Sequence, residues 1–592
     1  MRKFLFSICM LGLLVGGCDD GVKVKDSCGD NFVDPGEACD GNALGGATCL
    51  GLGFHDPDGV LACRADCTFD TAGCGGGFCG NGNLEDAETC EGDQLRGATC
   101  ESLGHYGGTL ACGGDCEHDL AGCNGRCGDG TLDGAFGEAC DGSDLGGATC
   151  LSLGYHGGAL ACDAACALDT ADCELHGRCG DGVIQEGMAE LCDGAAVPDT
   201  CHGLGAFGGQ LTCGPDCTYD RSGCRTVSLL VGRFRHYCVV LDDRGIRCWG
   251  ADEAGQLGTG TASVTGRFVP VSVALPAGRT TLSVSVGQAF TCAVLDDGRV
   301  WCWGDNGLGQ LGTGASGGSS AAPVQVALPG GETFVAVTCG NTHGCARAVS
   351  GRVWCWGSND VSQVGPSGLG IVVATPAEVS VPTGTLAAIR AGADHTCLLL
   401  QTGQAHCWGA NHSGQLGTGD TQYRDTPTQV RQSSLVFTSI YPGDSHTCAL
   451  DLFDAMHCWG RNDFGQLGTG EAGTNTTGPM SVAMPGTPPV TFGMAGIAVT
   501  SCAVDNTRAA WCWGGDFHGA LGNGPGADAA SPSAVSMPSG VGFLLLASGF
   551  YSTCATDLNG GVWCWGLNDQ GQLGRDPAQE PNSGIPVRVG AP

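Results

Sequence analysis

The 592-residue chain carries 107 Gly and 41 Cys against only 26 Lys plus Arg, with a formal net charge of −35. It is too long for one ordinary core, so two or more domains are expected, and a glycine- and turn-rich composition short of helix-forming runs points to an all-β chain. The charge excludes a nucleic-acid partner, which needs clustered Lys and Arg, and it is uneven: residues 19–224 hold 36 acidic and 7 basic side chains, residues 225–592 hold 25 and 17.

The first residues read as an address. Arg2-Lys3 is followed by the apolar run Phe4–Val15, too short to span a membrane as a mature helix. "VGGC" (Val15–Cys18) resembles the lipobox of bacterial lipoproteins. That resemblance implies a signal peptide over 1–17, a lipid on Cys18, a lipidated linker over 18–27 and anchoring in the cell envelope, at the outer membrane or cell surface. Asp19 next to the lipidated position resembles an inner-membrane retention signal of enteric bacteria, which leaves the choice of membrane open. No later stretch reaches the roughly 18 apolar residues of a transmembrane helix. Export to an oxidising compartment makes disulfides the first reading of the cysteines.

Residues 28–224 repeat four times (28–74, 79–123, 127–173, 179–224), six cysteines to a copy, each copy ending in the rhythm of Cys63, Cys67 and Cys74. Units of this length rarely bury enough apolar area to stand alone. Three disulfides per copy supply the constraint, about 2–4 kcal/mol each, and sequence does not choose among the fifteen pairings. The segment resembles the cysteine-rich repeats (Cys-Gly-Asp-Gly … Gly-Glu-x-Cys-Asp-Gly) of myxobacterial-type surface proteins. Zinc is disfavoured by export. Acidic residues recur in register, Asp129, Glu138 and Asp141 matching Asp181, Glu190 and Asp193. These are calcium candidates, because calcium gathers several carboxylate oxygens; the plainer reading is turn chemistry at Asp-Gly.

From residue 225 to 592 a second repeat takes over. Its anchor is Trp-Gly, the Trp at 249, 303, 356, 408, 459, 513 and 565, and Pro-x-x-Val follows each anchor, from Pro270 to Pro586. This period and these strand signals predict a seven-bladed β-propeller. "FTCAVLDDGRVWCWG" (Phe290–Gly304) reads as a hairpin with Gly298 in the left-handed turn position. Such a hairpin sets Cys292 opposite Cys302, within disulfide reach. The same argument pairs Cys238-Cys248, Cys345-Cys355, Cys397-Cys407, Cys448-Cys458, Cys502-Cys512 and Cys554-Cys564. Strand alternation then sends Trp301 and Trp303 to one face, to pack between blades, and the cysteine to the other. Asp454 replaces the turn glycine in blade five, which predicts a looser turn. The first hairpin has no Pro-x-x-Val segment before it, so the C-terminal strand (Pro586–Val589) is expected to complete blade one and close the ring.

Gly392–Leu399 (Gly-x-x-His-Thr-Cys-x-Leu) and Trp303–Gly312 (Trp-Gly-x-Asn-x-x-Gly-Gln-Leu-Gly) carry a resemblance to the regulator-of-chromosome-condensation family of seven-bladed propellers. "SNDVSQVG" (Ser358–Gly365) and Ala520 depart from its pattern. The nucleotide-exchange role of the founding member does not suit an exported lipoprotein. A secreted propeller similar to this family inhibits a β-lactamase by protein contact, which makes protein binding plausible.

No catalytic motif appears, so no enzyme and no cofactor are expected. His236, His343, His395 and His446 recur at one blade position, as metal ligands or, more simply, as a hydrogen bond repeated inside each blade. Cys339 alone has no evident partner. Leu467–Gly470 resembles a phosphate grip only in composition. The leading functional expectation is a recognition scaffold for an envelope or extracellular protein or glycan, with the rim loops Gly314–Ala322 and Gly470–Gly478 as candidate binding loops. The alternatives are a structural envelope component without a discrete ligand, and an enzyme inhibitor or hydrolase using the propeller face.

Overall fold

The computed structural model describes residues 28, 32–54, 58–75, 79–86, 88–185, 187, 190–486, 489–496 and 499–590. The signal segment, Cys18 and the linker lie outside them. Two compact units are resolved, Met1–Asp181 and Gly182–Pro592. The composition shift put a boundary at residue 225, but the compact unit that holds the propeller starts within the fourth cysteine-rich repeat.

In the first unit each repeat is a loop scaffold around a two-residue ribbon, such as Ala161–Cys162 paired with Leu168–Asp169. The disulfides follow one pattern, first to fifth, second to fourth and third to sixth. They are Cys28–Cys67, Cys39–Cys63 and Cys49–Cys74 in the first copy, Cys79–Cys116, Cys90–Cys112 and Cys100–Cys123 in the second, and Cys127–Cys166, Cys140–Cys162 and Cys150–Cys173 in the third.

The second unit holds seven four-stranded antiparallel sheets, the strands of each neighbouring in chain order. Blade two shows the plan: Thr281–Val286 lies innermost, Phe290–Leu295 and Val300–Asp305 form the hairpin, and Ser319–Gln325 lies outermost. The Pro-x-x-Val segment is therefore the outer strand of its own blade. The strand that sequence reading missed is the inner one, an alternating run such as "TLSVSV" without a marker residue. Blade one has its own, Val227–Arg233.

Ring closure by the C-terminal strand is thereby corrected. Asn582–Arg588 pairs with Val562–Leu567 of blade seven and with no strand of blade one. Closure is by packing: Leu230, Tyr237 and Trp249 of blade one share a core with Ala547, Cys554, Leu573 and Val589 of blade seven. Tyr237 and Ser552 add a hydroxyl–hydroxyl hydrogen bond of 2.9 Å across this seam. The fourth cysteine-rich repeat covers it, with Phe207 2% exposed and its ring 6.2 Å from Trp249. Arg588 donates to the carbonyl of Ala206 at 3.1 Å.

The seams between blades explain the repeated residues. Trp303 is fully buried against Cys238, Val240 and Leu257 of blade one, and its Nε1 donates to the Gln256 carbonyl at 2.9 Å. Cys292 and Cys302 are on the other face, against Trp356 of blade three. Blade six keeps this bond despite Ala520, because the acceptor for Trp565 Nε1 is a main-chain carbonyl (2.9 Å). The turn at Asp454 is not loosened either: at φ 58° it holds the left-handed position that Gly298 holds at 72°.

Candidate binding face at the channel mouth

All seven hairpins carry their disulfide, with Cα–Cα distances of 4.0–4.1 Å. Direct cross-strand pairing, Cys292 against Cys302 for instance, brings the two sulfurs together. Cys339 is a free, buried thiol, and burial pushes it up to about 12; it is a core group, not a nucleophile.

The histidines bridge blades instead of working inside one. His236 Nε2 meets Thr291 Oγ1 of blade two at 3.0 Å, and His343, His395 and His446 meet Thr396, Thr447 and Ser501 of the following blade at 2.8–2.9 Å. Thr291 already donates to the Gln256 carbonyl at 2.9 Å, so its hydroxyl accepts from His236 Nε2–H. That fixes a neutral tautomer, and burial holds all four histidines down at about 3. Of the three blades without the histidine, blade two has Phe290 in its place, and Gly344 stands where the hydroxyl partner would be; blades six and seven carry Thr500 and Ser552 there. These residues are seam structure, not a metal ring.

The calcium candidates are turned onto backbone donors. Asp141 Oδ2 accepts N–H bonds from Gly128, Asp129 and Gly130 at 3.0–3.2 Å. Asp193 accepts from Gly182 and Val183, Glu138 from Asp133, and Glu190 from Gln185. Asp129 takes Thr131 and Arg126, and Asp181 takes Arg178. The Cys-Gly-Asp-Gly turn is a nest of N–H groups closed by a carboxylate. In the first three copies the donor groups of three that come together are one carboxylate and two sulfurs, as Cys127, Glu138 and Cys166, and those sulfurs are spent in a disulfide.

The rim loops are tied down. Gly317 N–H donates to Asn306 O at 2.6 Å and Gly473 N–H to Asn462 O at 2.7 Å.

The feature that sequence reading missed is at the channel mouth. There the loops after the inner strands join by main-chain bonds from blade to blade: Gln288 to Asn341, Asn341 to Ala393, Ala393 to Gly443, and across the closing seam Phe550 to Phe234 at 2.5 Å. Half of this ring is polar. The other half is an arc of rings: Phe234 on Phe550 (4.9 Å), Phe550 on Tyr551 (4.1 Å), Tyr551 on Phe517 (5.0 Å) and Phe517 on Phe464 (5.2 Å). Phe234, His518 and Tyr551 sit at φ 56°, 61° and 55°, a conformation costly for side chains of this size. Phe517 is 38% exposed.

A cavity of about 270 Å³ opens among Phe234, Phe464, Phe550, Tyr551, Asp444 and Arg461. Arg461 Nε bonds Asp463 at 2.7 Å and its guanidinium lies 6.0 Å over Phe464. Burial raises Asp444, against the pull of Arg233 and Arg461. Burial, then Asp444 and Asp360 as like charges, pushes Asp394 up to about 6. Half-buried aromatics flanked by arginine and carboxylates are the make-up of a contact surface. The signal lay in comparing copies: at the register of Phe234-Arg235 and Phe550-Tyr551, blades two to five carry Gln288-Ala289, Asn341-Thr342, Ala393-Asp394 and Asp444-Ser445.

Comparison with known proteins bears on this geometry. A family model described as the RCC1-like domain matches residues 200–543, more than half of the chain, and regulator of chromosome condensation (RCC1) repeat models match 545–572 and 559–592. The ultraviolet-B receptor UVR8 of Arabidopsis thaliana is 28% identical over 355 residues, 59% of this chain and 79% of that one. The secretion-regulating guanine nucleotide exchange factor of Bos taurus is 28% identical over 340 residues, 54% of this chain and 72% of that one. The crystal structure of human WBSCR16 superposes with a TM-score of 0.53 at 20% identity, covering 58% of this chain and 93% of that one. Yeast RCC1 (Prp20), in its complex with Kap60, gives 0.51 at 21% identity, covering 62% and 85%.

Proposed function

The chain belongs to the RCC1-like domain family, and from that premise we propose that its propeller is a non-catalytic scaffold that binds a protein partner at the channel mouth. The observation that carries this reading is the aromatic arc from Phe234 to Phe464, built by residues that most blades lack. Repeated residues are used up in the seams, so a surface that differs between blades is available for recognition. Rigid aromatics bury large area at little entropic cost, which suits them as anchors. The lipobox-like Val15–Cys18 supports an exported, lipid-anchored envelope protein with its acidic repeats between anchor and propeller. The exchange activity named for the bovine relative is not carried over.

Residues 19–592 immobilised on resin test this against envelope extract, beside a Phe464→Ala/Phe517→Ala variant that melts like wild type. The expected result is a protein retained by wild type and lost, by tenfold or more, with the variant. Equal retention by both, or a retained species that is glycan alone, overturns the reading. Loss of radiolabelled lipid incorporation in Cys18→Ala tests the anchor.

A further inference from the structure

Below the mouth, the inner strands enclose a cavity of about 210 Å³ in the propeller channel. Its two walls differ. Blades two to four contribute Ser285, Thr338 and Arg390, and Arg233 of blade one reaches across to them; Leu229, Val231, Phe492, Met494 and Leu545 dominate the remainder, with Tyr441 and Ser548 among them. Two cations and no carboxylate line this space, in a protein of net charge −35.

Arg233 is 6% exposed. Its two recorded acceptors are neutral, Asn341 Oδ1 at 3.1 Å and the Ala391 carbonyl at 3.0 Å. Among the described residues neither Arg233 nor Arg390 has a carboxylate at ion-pair distance, unlike Arg235, which lies 3.0 Å from Asp569, or Arg267, 3.0 Å from Asp252. Asp394 and Asp444 act on Arg233 only through space. A buried cation without a contact ion pair is costly, so such groups are ordinarily paired. The hydroxyls point to the same kind of ligand. Ser285 Oγ accepts Cys339 N–H at 3.0 Å and Thr338 Oγ1 accepts Ala391 N–H at 2.8 Å, which leaves each hydroxyl proton to donate. The cavity thus offers donors on one side and apolar surface on the other, the make-up of a small-molecule site.

We propose that the channel binds a small organic anion, its acidic group held by Arg233 and Arg390 and its apolar body against Phe492, Met494 and Leu545. A charge-assisted bond to each guanidinium fixes the acidic end. The apolar wall excludes a bare inorganic anion as the preferred ligand.

Calorimetric titration of the folded chain, residues 19–592, with naphthalene-2-sulfonate tests the site, with inorganic sulfate and uncharged 2-naphthol as controls. Saturable one-to-one binding of the sulfonate is expected, weakened about tenfold or more by Arg390→Met, with sulfate and 2-naphthol at least tenfold weaker than the sulfonate. Arg390 lines the open channel and is exposed, so this variant should melt like wild type. If it does not, Arg390→Lys is read in its place and should keep most of the affinity. Absence of saturable binding, equal affinity for either control, or full affinity in Arg390→Met overturns the proposal.

Discussion

In the third cysteine-rich repeat the buried apolar side chains among the described residues are Cys140, Cys150, Cys166 and Cys173, and the strands are two residues long. In the second blade Phe290, Val294, Val300, Leu311 and Val326 are buried around the Cys292–Cys302 bond. Both regions repeat at similar length and both are stapled. In the first, the disulfides replace a core that the sequence is too polar to build. In the second they reinforce a core that exists without them. Each blade packs its disulfide on the next blade's tryptophan, so there the bond is also a piece of apolar surface.

The largest expected effect separates the two regions by reduction. Cys127 and Cys162 are half-buried, whereas the blade cysteines are fully buried. In millimolar dithiothreitol, hydrogen exchange should show residues 28–181 losing protection completely. All 11 Trp are in the propeller, so their fluorescence should hold. Loss of tryptophan signal at the same reductant concentration would remove the contrast.

Acid should act the other way round, on the propeller. Its four seam histidines are pushed down to about 3 in the folded state, against about 6.5 when unfolded. The unfolded chain therefore binds more protons between these values, and stability present above pH 6.5 is lost as pH falls towards 3. Each histidine contributes about a kcal/mol or more per pH unit in that window. Asp394, raised to about 6, opposes them, as do the other buried carboxyls that burial raises, Asp444, Asp252 and Asp516. A melting-temperature series from pH 7 to 5 should fall steeply. The double variant His343→Phe/Thr396→Gly, which copies the Phe290/Gly344 pair, should flatten the slope by about one histidine's share. An unchanged slope sinks the assignment.

The smallest effects rank core against staple inside one blade. Trp303→Ala should cost about 3–5 kcal/mol in denaturant unfolding, and Cys292→Ala/Cys302→Ala about 2–3 kcal/mol. The reverse order would mean that the propeller depends on its cross-links as the repeats do.

Much of the architecture was legible because it rests on residues that repeat. Trp303 and its counterparts marked the blades, and alternation put tryptophan and cysteine on opposite faces. The inner strands were not legible: Thr281–Val286 alternates but bears no marker, and its omission produced the mistaken closure by residues 586–589. The mouth was illegible for a related reason. Phe234, Phe464, Phe517 and Tyr551 are single residues in different copies, and a period search discards what does not recur.

The hairpins were determined by the sequence alone, because their chemistry is local: paired cysteines stand 10 residues apart across one turn. Only the tertiary structure decided how the ring closes, which neighbour each histidine meets, and where the aromatics gather. Tyr237 and Ser552 are 315 residues apart in the chain and 2.9 Å apart in the seam. Contacts of that kind depend on how seven twisted sheets pack around an axis, a geometry to which every blade contributes and which no one segment encodes.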